Sequence, residues 1–253
     1  MTNQGGKTIM KNTNKHYIII ILLVMLIISI ITFNIYKYNN TLKNKIINSN
    51  VIEINHEINK INYEEELNKV RSKYNNNDIV GILSNSLDTL NEIVMQSADN
   101  DYYLEHTVYH ESNWRGQTFL DYRNDINNSD KLIIYGHNSN YYNLPFKVLE
   151  NYYNKSYYDE NKYLYLQTNL NKYKYEIFSV YVEVSDWDYY NKMKFNTKNE
   201  YYNHILKLKN KSMYDTNVLV NSDDKILIIQ TCSTKKEYSN YENKFLLIIA
   251  KRV

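Results

Sequence analysis

The sequence contains few of the residues that cross-link a chain or allow sharp turns in its backbone: 1 cysteine, 1 proline and 5 glycines among 253 residues. A single cysteine, Cys232, excludes an intramolecular disulfide and any zinc site built on paired cysteines. It is therefore either a small core residue or a reactive group. We expect neither a cofactor nor a metal ion.

A strong excess of charge of one sign is also missing. The formal net charge is +2, and the lysines are scattered along the chain. A nucleic-acid-binding surface normally concentrates basic residues in one patch, so nucleic acid is excluded as a partner. What the chain has in abundance is tyrosine, with 28 residues, and we expect tyrosine to supply much of the core volume.

One long stretch, Tyr17 to Tyr36, carries no charged residue. Its length of about 20 residues matches the hydrocarbon layer of a membrane. We predict a transmembrane anchor here, with residues 1–16 as a short cytoplasmic tail and the large carboxy-terminal part outside the cell. A cleaved signal peptide is the alternative, but its apolar region usually has only ~7–15 residues and ends in small residues.

Residues 37–78 are predicted to form a helical stalk. Isoleucine and valine recur at steps of three and four from Ile47 to Ile61, the spacing of one helical face. The phase slips after Ile61 and resumes at Tyr63, which predicts a second helix or a bend before "NNND" at Asn75–Asp78 ends the stalk. We expect this face to pack on the following domain, because the heptads are too few for a coiled coil.

Residues 79–253 are predicted to form a domain that is mainly β with helices. Seven short segments rich in β-branched and aromatic residues are separated by polar turns: "IVGIL", "QTFLDY", "KLIIYG", "KYLYLQT", "YKYEIFSVYVEV", "KILIIQT" and "KFLLIIAKRV". Two stretches are predicted as helices, one with Pro145 in its first turn and one with Thr197 as its cap. Strands this short and numerous favour a closed or nearly closed barrel with helices at its ends.

Two of the predicted strands end in groups capable of chemistry. "KLIIYGHN" carries His137 and "KILIIQTCS" carries Cys232, each where an apolar strand enters a polar loop. A thiol and an imidazole together are the minimum for nucleophilic catalysis, because the ring can take the thiol proton and later protonate a leaving amine. By position alone, however, a cysteine at a strand end is more often a small core residue.

Six segments of the chain resemble a known family. "IIYGHN" and "ILIIQTCS" are similar to the two active-site motifs of sortases, and "SADNDYYLEH", "GQTFLDYRN", "YEIFSVY" and "LLIIAK" follow the order and spacing of class B sortases. These are membrane-anchored cysteine transpeptidases of Gram-positive bacteria. The resemblance covers nearly everything from Ile79 onward, and it implies an eight-stranded sortase-type β-barrel preceded by a transmembrane helix and amino-terminal stalk helices.

The resemblance also implies the chemistry and the partners. Cys232 would attack the carbonyl of a threonine in the carboxy-terminal sorting signal of a secreted protein and form a thioester. His137 would act as acid for the departing amine and as base for the incoming one. Thr231 would line the substrate or oxyanion site. The incoming amine would belong to a peptidoglycan cross-bridge or stem, so that surface proteins become anchored to the cell wall.

The sequence departs from the family at one position. Sortases have an arginine at the start of the last strand that binds the substrate and the oxyanion. Here the region reads "ENKFLLIIAKRV", and no arginine follows the cysteine until Arg252. Alignment on the strand start selects Lys244 and alignment on "AK" selects Phe245; we take Lys244 as the replacement. Arg115 and Arg123 could reach in from other loops, although "GQTFLDYRN" explains Arg123 as a structural residue.

Two other functions fit parts of this pattern. The missing arginine is compatible with a catalytically weak sortase homologue that acts as a membrane-tethered binding protein, whereas the presence of both active-site motifs argues against it. "QTCS" also resembles the Q-x-C signature of caspase-like proteases, but no glycine follows the cysteine and the histidine lies too far upstream.

Overall fold

The computed structural model describes the backbone of residues 6–253 and the side chains of residues 21–47 and 63–253. One helix, α1, extends from Gly6 to Tyr74. It continues through the position of the phase slip, so the second helix expected after Ile61 is an extension of the first, in a stretch that has no glycine or proline to end it. The apolar positions between residues 48 and 62 and the start of the predicted tail lie outside the described residues.

Part of α1 is apolar enough to cross a membrane. An 18-residue window within the segment Ile21–Ile47 has a mean hydropathy of 2.0, and the segment meets the length and composition of a membrane span. It overlaps most of the predicted anchor, while the side chains of residues 17–20 are outside the described set. Large apolar side chains are exposed along it, with Phe33 at 66%. A helix that is apolar on all sides is typical of a membrane span.

The carboxy-terminal end of α1 lies where the sequence predicts it. Asn75 has a φ of 49°, the left-handed conformation that asparagine tolerates at a helix end, and the Asn76 amide donates a hydrogen bond to the Arg71 carbonyl at 3.0 Å. Leu67 is completely buried in a core cluster that also contains Ile79. The last turns of α1 therefore pack on the β domain, as expected.

Eight strands close into a barrel. Their bounds are Ile79–Asn85 (β1), Asn91–Met95 (β2), Phe119–Leu120 (β3), Lys131–Tyr135 (β4), Tyr163–Gln167 (β5), Lys172–Glu183 (β6), Ile226–Cys232 (β7) and Phe245–Arg252 (β8). The order around the barrel is β1, β2, β3, β4, β7, β8, β6, β5. β4 pairs with β7 in parallel, and so does β2 with β3, whereas the other neighbours are antiparallel.

The eight-stranded barrel implied by the family resemblance is confirmed. The residue pattern alone missed β2, because "NEIVM" begins with two polar residues and buries only its last two side chains. β3 is also shorter than expected, since only Phe119 and Leu120 of "QTFLDY" are in strand conformation. Both exceptions are strands whose own residues give a weak strand pattern, so that their conformation depends on pairing with neighbouring strands.

The helices of the domain are short. They are α2 (Lys155–Glu160), α3 (Asp188–Asn191) and α4 (Lys198–Asn210), with 3₁₀ helices at Tyr102–Leu104, Pro145–Tyr153 and Lys236–Tyr238. Thr197 caps α4 as predicted, because its Oγ1 accepts a hydrogen bond from the Glu200 amide at 3.1 Å. The segment with Pro145 in its first turn is a 3₁₀ helix that leads into α2.

Two apolar clusters lie on opposite faces of the barrel sheet. Alternate residues of β7 belong to different clusters, as the two-residue period of a strand requires. Leu227 and Ile229 pack with Phe146 of the 3₁₀ helix in one cluster, and Ile228 packs with Ile205 of α4 in the other. β7 is thereby held from both sides.

Candidate active site

Parallel pairing of β4 with β7 brings the two predicted catalytic residues to one edge of the barrel. The last pair in this ladder is Tyr135 with Gln230, so His137 and Cys232 each lie two residues beyond it. Because the carboxyl ends of parallel strands meet at the same edge, both side chains reach one place. They line a single pocket of ≈ 320 Å³.

Three hydrogen bonds connect the two strand ends. The Gly136 amide donates to the Gln230 carbonyl at 3.2 Å. Thr231 Oγ1 donates to the Gly136 carbonyl at 2.7 Å, and Asn138 Nδ2 donates to the Cys232 carbonyl at 3.0 Å. The hydroxyl of Thr231 is thus engaged in holding the two ends together, although the residue also lines the pocket. A role for Thr231 in substrate binding stays a prediction.

A ring of four polar side chains joins the loops that follow these strands. One carboxylate oxygen of Glu150 accepts hydrogen bonds from the amide of Thr234, at 3.1 Å, and from its hydroxyl. The other accepts from Lys147 Nζ at 2.6 Å. Lys147 also donates to Asn140 Oδ1, and Asn140 Nδ2 donates to the Thr234 carbonyl, each at 3.2 Å. This ring fixes the cysteine loop against the histidine loop.

The orientation of His137 is set by the chain before β3. Its Nε2 lies 2.9 Å from the carbonyl oxygen of Leu104. A carbonyl can only accept, so Nε2 carries the proton in this arrangement and Nδ1 is the nitrogen that can exchange a proton with a substrate. Leu104 lines the same pocket.

The thiol of Cys232 is accessible but set into the pocket. Part of Cys232 is exposed to solvent, but the pocket walls exclude much of the water around the sulfur. This burial raises the pKa of the Cys232 thiol, and the positive charge of Lys244 acts in the opposite direction. At neutral pH the thiol is therefore mainly protonated, which makes a neighbouring proton acceptor necessary for nucleophilic attack.

The structure separates the two candidates for the family arginine. Lys244 does not line the pocket, and its Nζ donates a hydrogen bond to the Tyr241 carbonyl at 3.1 Å. Phe245 pairs directly with Cys232 across β7 and β8 and lines the pocket. Its ring centroid lies 5.6 Å from that of Trp187. An aromatic wall therefore occupies the position that alignment on "AK" gives to the arginine.

The two arginines considered as alternatives lie elsewhere. Arg115 sits over the Trp114 ring, 5.6 Å from its centroid, and Arg123 pairs with Asp121 at 2.6 Å. Neither lines the pocket of Cys232. Lys244 is thus the cation whose charge acts on the thiol, and its catalytic role stays a prediction.

Sequence reasoning missed most of the pocket walls. Asn100, Tyr135 and Tyr190 line the pocket together with His137 and Cys232. Asn100 lies within "SADNDYYLEH", which pointed to the family but not to a role, and Tyr190 lies on α3, which has no motif. The pocket continues into an aromatic cleft of ≈ 390 Å³ that shares Tyr190 and Phe245 and includes Trp187. Such a groove can accept an extended peptide with apolar side chains.

A model of the sortase domain matches residues 91–253 of the chain, more than half of its length. The chain belongs to the sortase family. Sortases are cysteine transpeptidases, and the matched segment includes His137, Cys232 and every residue that lines their pocket.

Named relatives place this sortase in class B, as predicted. It is 35% identical over 164 residues to Sortase B of Listeria monocytogenes, an alignment that covers 64% of this chain and 66% of the relative. It is 32% identical over 177 residues to Sortase B of Staphylococcus aureus, with 70% of each chain covered. The crystal structure of Clostridium perfringens Sortase B superposes with a TM-score of 0.66 at 28% identity, covering 74% of this chain and 99% of that one.

Gly136, which links β4 to His137, yields a testable prediction. A Cβ at this position would lie 2.6 Å from the ring of the completely buried Phe146. We expect Gly136→Ala to destabilise this sortase by about 1–3 kcal/mol, as overpacking does, and to lower turnover by displacing His137. Thermal unfolding and peptide turnover test this. Gly136→Ala with normal stability and turnover would contradict it.

Proposed function

We propose that this sortase cleaves the carboxy-terminal sorting signal of secreted proteins after a threonine and transfers the acyl group to a peptidoglycan amine. The observation that carries the proposal is the common pocket of Cys232 and His137 at the ends of β4 and β7. The family relationship supports the same reaction. A binding protein without activity would have no need for both groups in one accessible pocket.

The first half of the reaction forms a thioester. The Cys232 sulfur gives up its proton to His137 and attacks the threonine carbonyl, so that a C–S bond forms and the carbonyl oxygen takes a negative charge. When this intermediate collapses, the C–N bond of the scissile peptide breaks. His137 returns the proton to the departing amine, and the carboxy-terminal fragment leaves.

The second half transfers the acyl group. The incoming amine attacks the thioester carbonyl while His137 removes one of its protons. The C–S bond then breaks, a new peptide bond remains, and the sulfur recovers its proton. Because each half uses the same nitrogen once as base and once as acid, the single proton-exchanging nitrogen of His137 is sufficient.

Charge stabilisation is assigned to Lys244, with Thr231 as a substrate-binding residue. The positive charge of Lys244 lowers the pKa of the Cys232 thiol against the effect of burial, which supports a position near the developing negative charge. An ammonium is a point charge without the planar fork of arginine, so we expect a weaker grip on the oxyanion. Phe245 adds apolar surface beside the thiol but no positive charge.

The proposed location is the outer face of the cell membrane. The segment Ile21–Ile47 supports a single membrane span, and the proposed substrates meet the enzyme outside the cell. Lysines flank the apolar stretch on both sides, so charge alone does not set its orientation. We propose that the amino terminus stays in the cytoplasm and that the barrel lies outside.

Removing Cys232 should abolish transfer, and removing His137 should reduce it strongly. We expect Cys232→Ala to show no turnover and a nearly unchanged melting temperature, because the substitution removes little volume. His137→Ala should lose ~10²–10⁴-fold in kcat/KM, the usual contribution of general acid and base catalysis. Turnover of threonine-containing sorting peptides, with and without triglycine as acceptor, measures both. An alanine variant with normal turnover would refute the proposed reaction, and hydrolysis without transfer would indicate a protease.

The proposed electrostatic role of Lys244 can be tested by measuring the reactivity of the Cys232 thiol. Without its charge the pKa of Cys232 should rise further, so Lys244→Ala should move the pH profile of iodoacetamide alkylation to higher pH. The same variant should lower transfer by ~10²–10³-fold if the amine stabilises the oxyanion. Lys244→Arg should retain both properties. Lys236→Ala removes an exposed cation from the same loop and is the matched control; if it behaves like Lys244→Ala, the assignment is wrong.

The proposed membrane anchor and its orientation can be tested separately. Full-length protein should fractionate with membranes, its mature form should keep Tyr17–Tyr36, and added protease should digest the barrel from outside intact cells. The barrel from residue 63 onward should remain in the soluble fraction. A mature amino terminus beyond residue 36 would instead identify a cleaved signal peptide.

A further inference from the structure

A buried carboxylate lies directly behind the pocket walls. Asp121 follows β3 and is completely buried. Its carboxylate accepts hydrogen bonds from Arg123 Nε at 2.8 Å and Nη2 at 2.6 Å, and one oxygen also accepts from the Arg123 amide at 2.9 Å. Burial alone would raise the pKa of Asp121, but hydrogen bonds from Arg123 and Tyr135 hold it below its ordinary value. The group is therefore ionised at neutral pH.

Two further partners of this carboxylate are walls of the Cys232 pocket. Tyr135 donates its hydroxyl hydrogen to Asp121 Oδ2 at 2.6 Å, and Asn100 Nδ2 donates to the same oxygen at 3.0 Å. Both side chains line the pocket. Hydrogen bonds to a buried, charged acceptor are stronger than those between neutral groups, so these two walls have fixed orientations.

A third wall is reached through Arg123. Its guanidinium carbon lies 4.4 Å from the centroid of the Tyr190 ring, and Tyr190 lines both the pocket and the adjoining aromatic cleft. The two-point pairing with Asp121 fixes the plane of the guanidinium. Arg123 itself lines a different cleft, so it supports the ring without entering the Cys232 pocket.

The backbone around Tyr190 is held by other residues. The buried Lys131 donates from Nζ to the carbonyls of Tyr189, at 2.8 Å, and Lys192. The Tyr189 hydroxyl donates to Gln230 Oε1 at 2.8 Å. These contacts fix α3 on both sides of Tyr190. The Tyr190 ring itself contacts Arg123 and the ring of Tyr135, whose centroid lies 6.5 Å away.

We propose that Asp121 and Arg123 are positioning residues that hold Asn100, Tyr135 and Tyr190 in place as the peptide-binding walls of the Cys232 pocket. The proposal rests on the proposed function in that the pocket must accept a peptide. It assigns the pair to substrate recognition rather than to the thiol, because the cysteine and histidine loops are joined through Glu150 and Thr234 instead.

Arg123→Gln is the informative variant, since the Arg123 side chain is 25% exposed and belongs to neither apolar core cluster. Arg123→Gln removes the positive charge stacked on the Tyr190 ring and the two-point hydrogen bonding to Asp121. We therefore expect KM for a sorting peptide to rise by about tenfold, with kcat changed less than threefold. Arg123→Lys should recover part of the loss. Iodoacetamide alkylation of Cys232 should keep its rate and pH profile. Asp121→Asn should give the same pattern where it folds.

The chain offers a matched control. Arg252 stacks on Tyr173 with its guanidinium carbon 3.9 Å from the ring centroid, and neither residue lines the pocket. Arg252→Gln therefore removes an arginine–tyrosine stack of the same kind elsewhere on the barrel. Equal KM values for both variants and the unsubstituted protein would overturn the proposal. So would a loss confined to kcat with slower alkylation, because it would move Arg123 to the catalytic pair.

A second measurement does not depend on turnover. A methanethiosulfonate nitroxide attached to Cys232 labels the chain at its only thiol, inside the pocket. Arg123→Gln should narrow its electron paramagnetic resonance lines as the walls loosen, and Arg252→Gln should not. Unchanged lines in both variants would reject the positioning role. Absence of peptide turnover by the unsubstituted protein, with the expected narrowing in Arg123→Gln, would reject only the proposed function.

Discussion

The parallel ladder between β4 and β7 determines where each strand ends relative to the other, and the active site depends on it. All five residues of β4 and the first four of β7 are buried. Burial of such side chains contributes roughly 1.5–3 kcal/mol each, so a shift of one strand against the other would disrupt both apolar clusters. Packing of the core therefore sets the relative position of His137 and Cys232, and the side-chain ring around Glu150 fixes only the loops that follow the two strands.

This placement imposes a conflict on the thiol. A pocket that binds a peptide excludes water, and the exclusion of water disfavours the thiolate that the proposed attack requires. The structure offsets the conflict with the charge of Lys244 and with an imidazole whose second nitrogen is already committed to the Leu104 carbonyl. Phe245 increases the apolar character of the pocket. Compared with a site that has an arginine in the pocket, this site therefore offers more apolar surface for binding and less positive charge to favour the thiolate.

Much of the fold, and the position of His137 and Cys232 at neighbouring strand ends, could be predicted from the sequence because the signals are local. Strands with two buried faces give continuous apolar runs, and Thr197 and Asn75 mark helix ends by their own side chains. β2 was missed because its stability comes from pairing with β1. The walls formed by Asn100 and Tyr190 could not be predicted, since residues far apart in the chain converge there. The position of Phe245 directly opposite Cys232 follows from the register of β7 with β8, which no single segment encodes.

The presence of a single thiol has a consequence for the repair of oxidative damage. A cysteine oxidised to sulfenic acid is normally rescued by a second cysteine that forms a disulfide with it, and this chain has no second cysteine. Oxidation of Cys232 could be reversed only by a thiol from another molecule. The burial that raises the pKa of Cys232 also keeps the oxidation-prone thiolate scarce. The same burial that raises the pKa of the thiol therefore also slows oxidation of the sulfur.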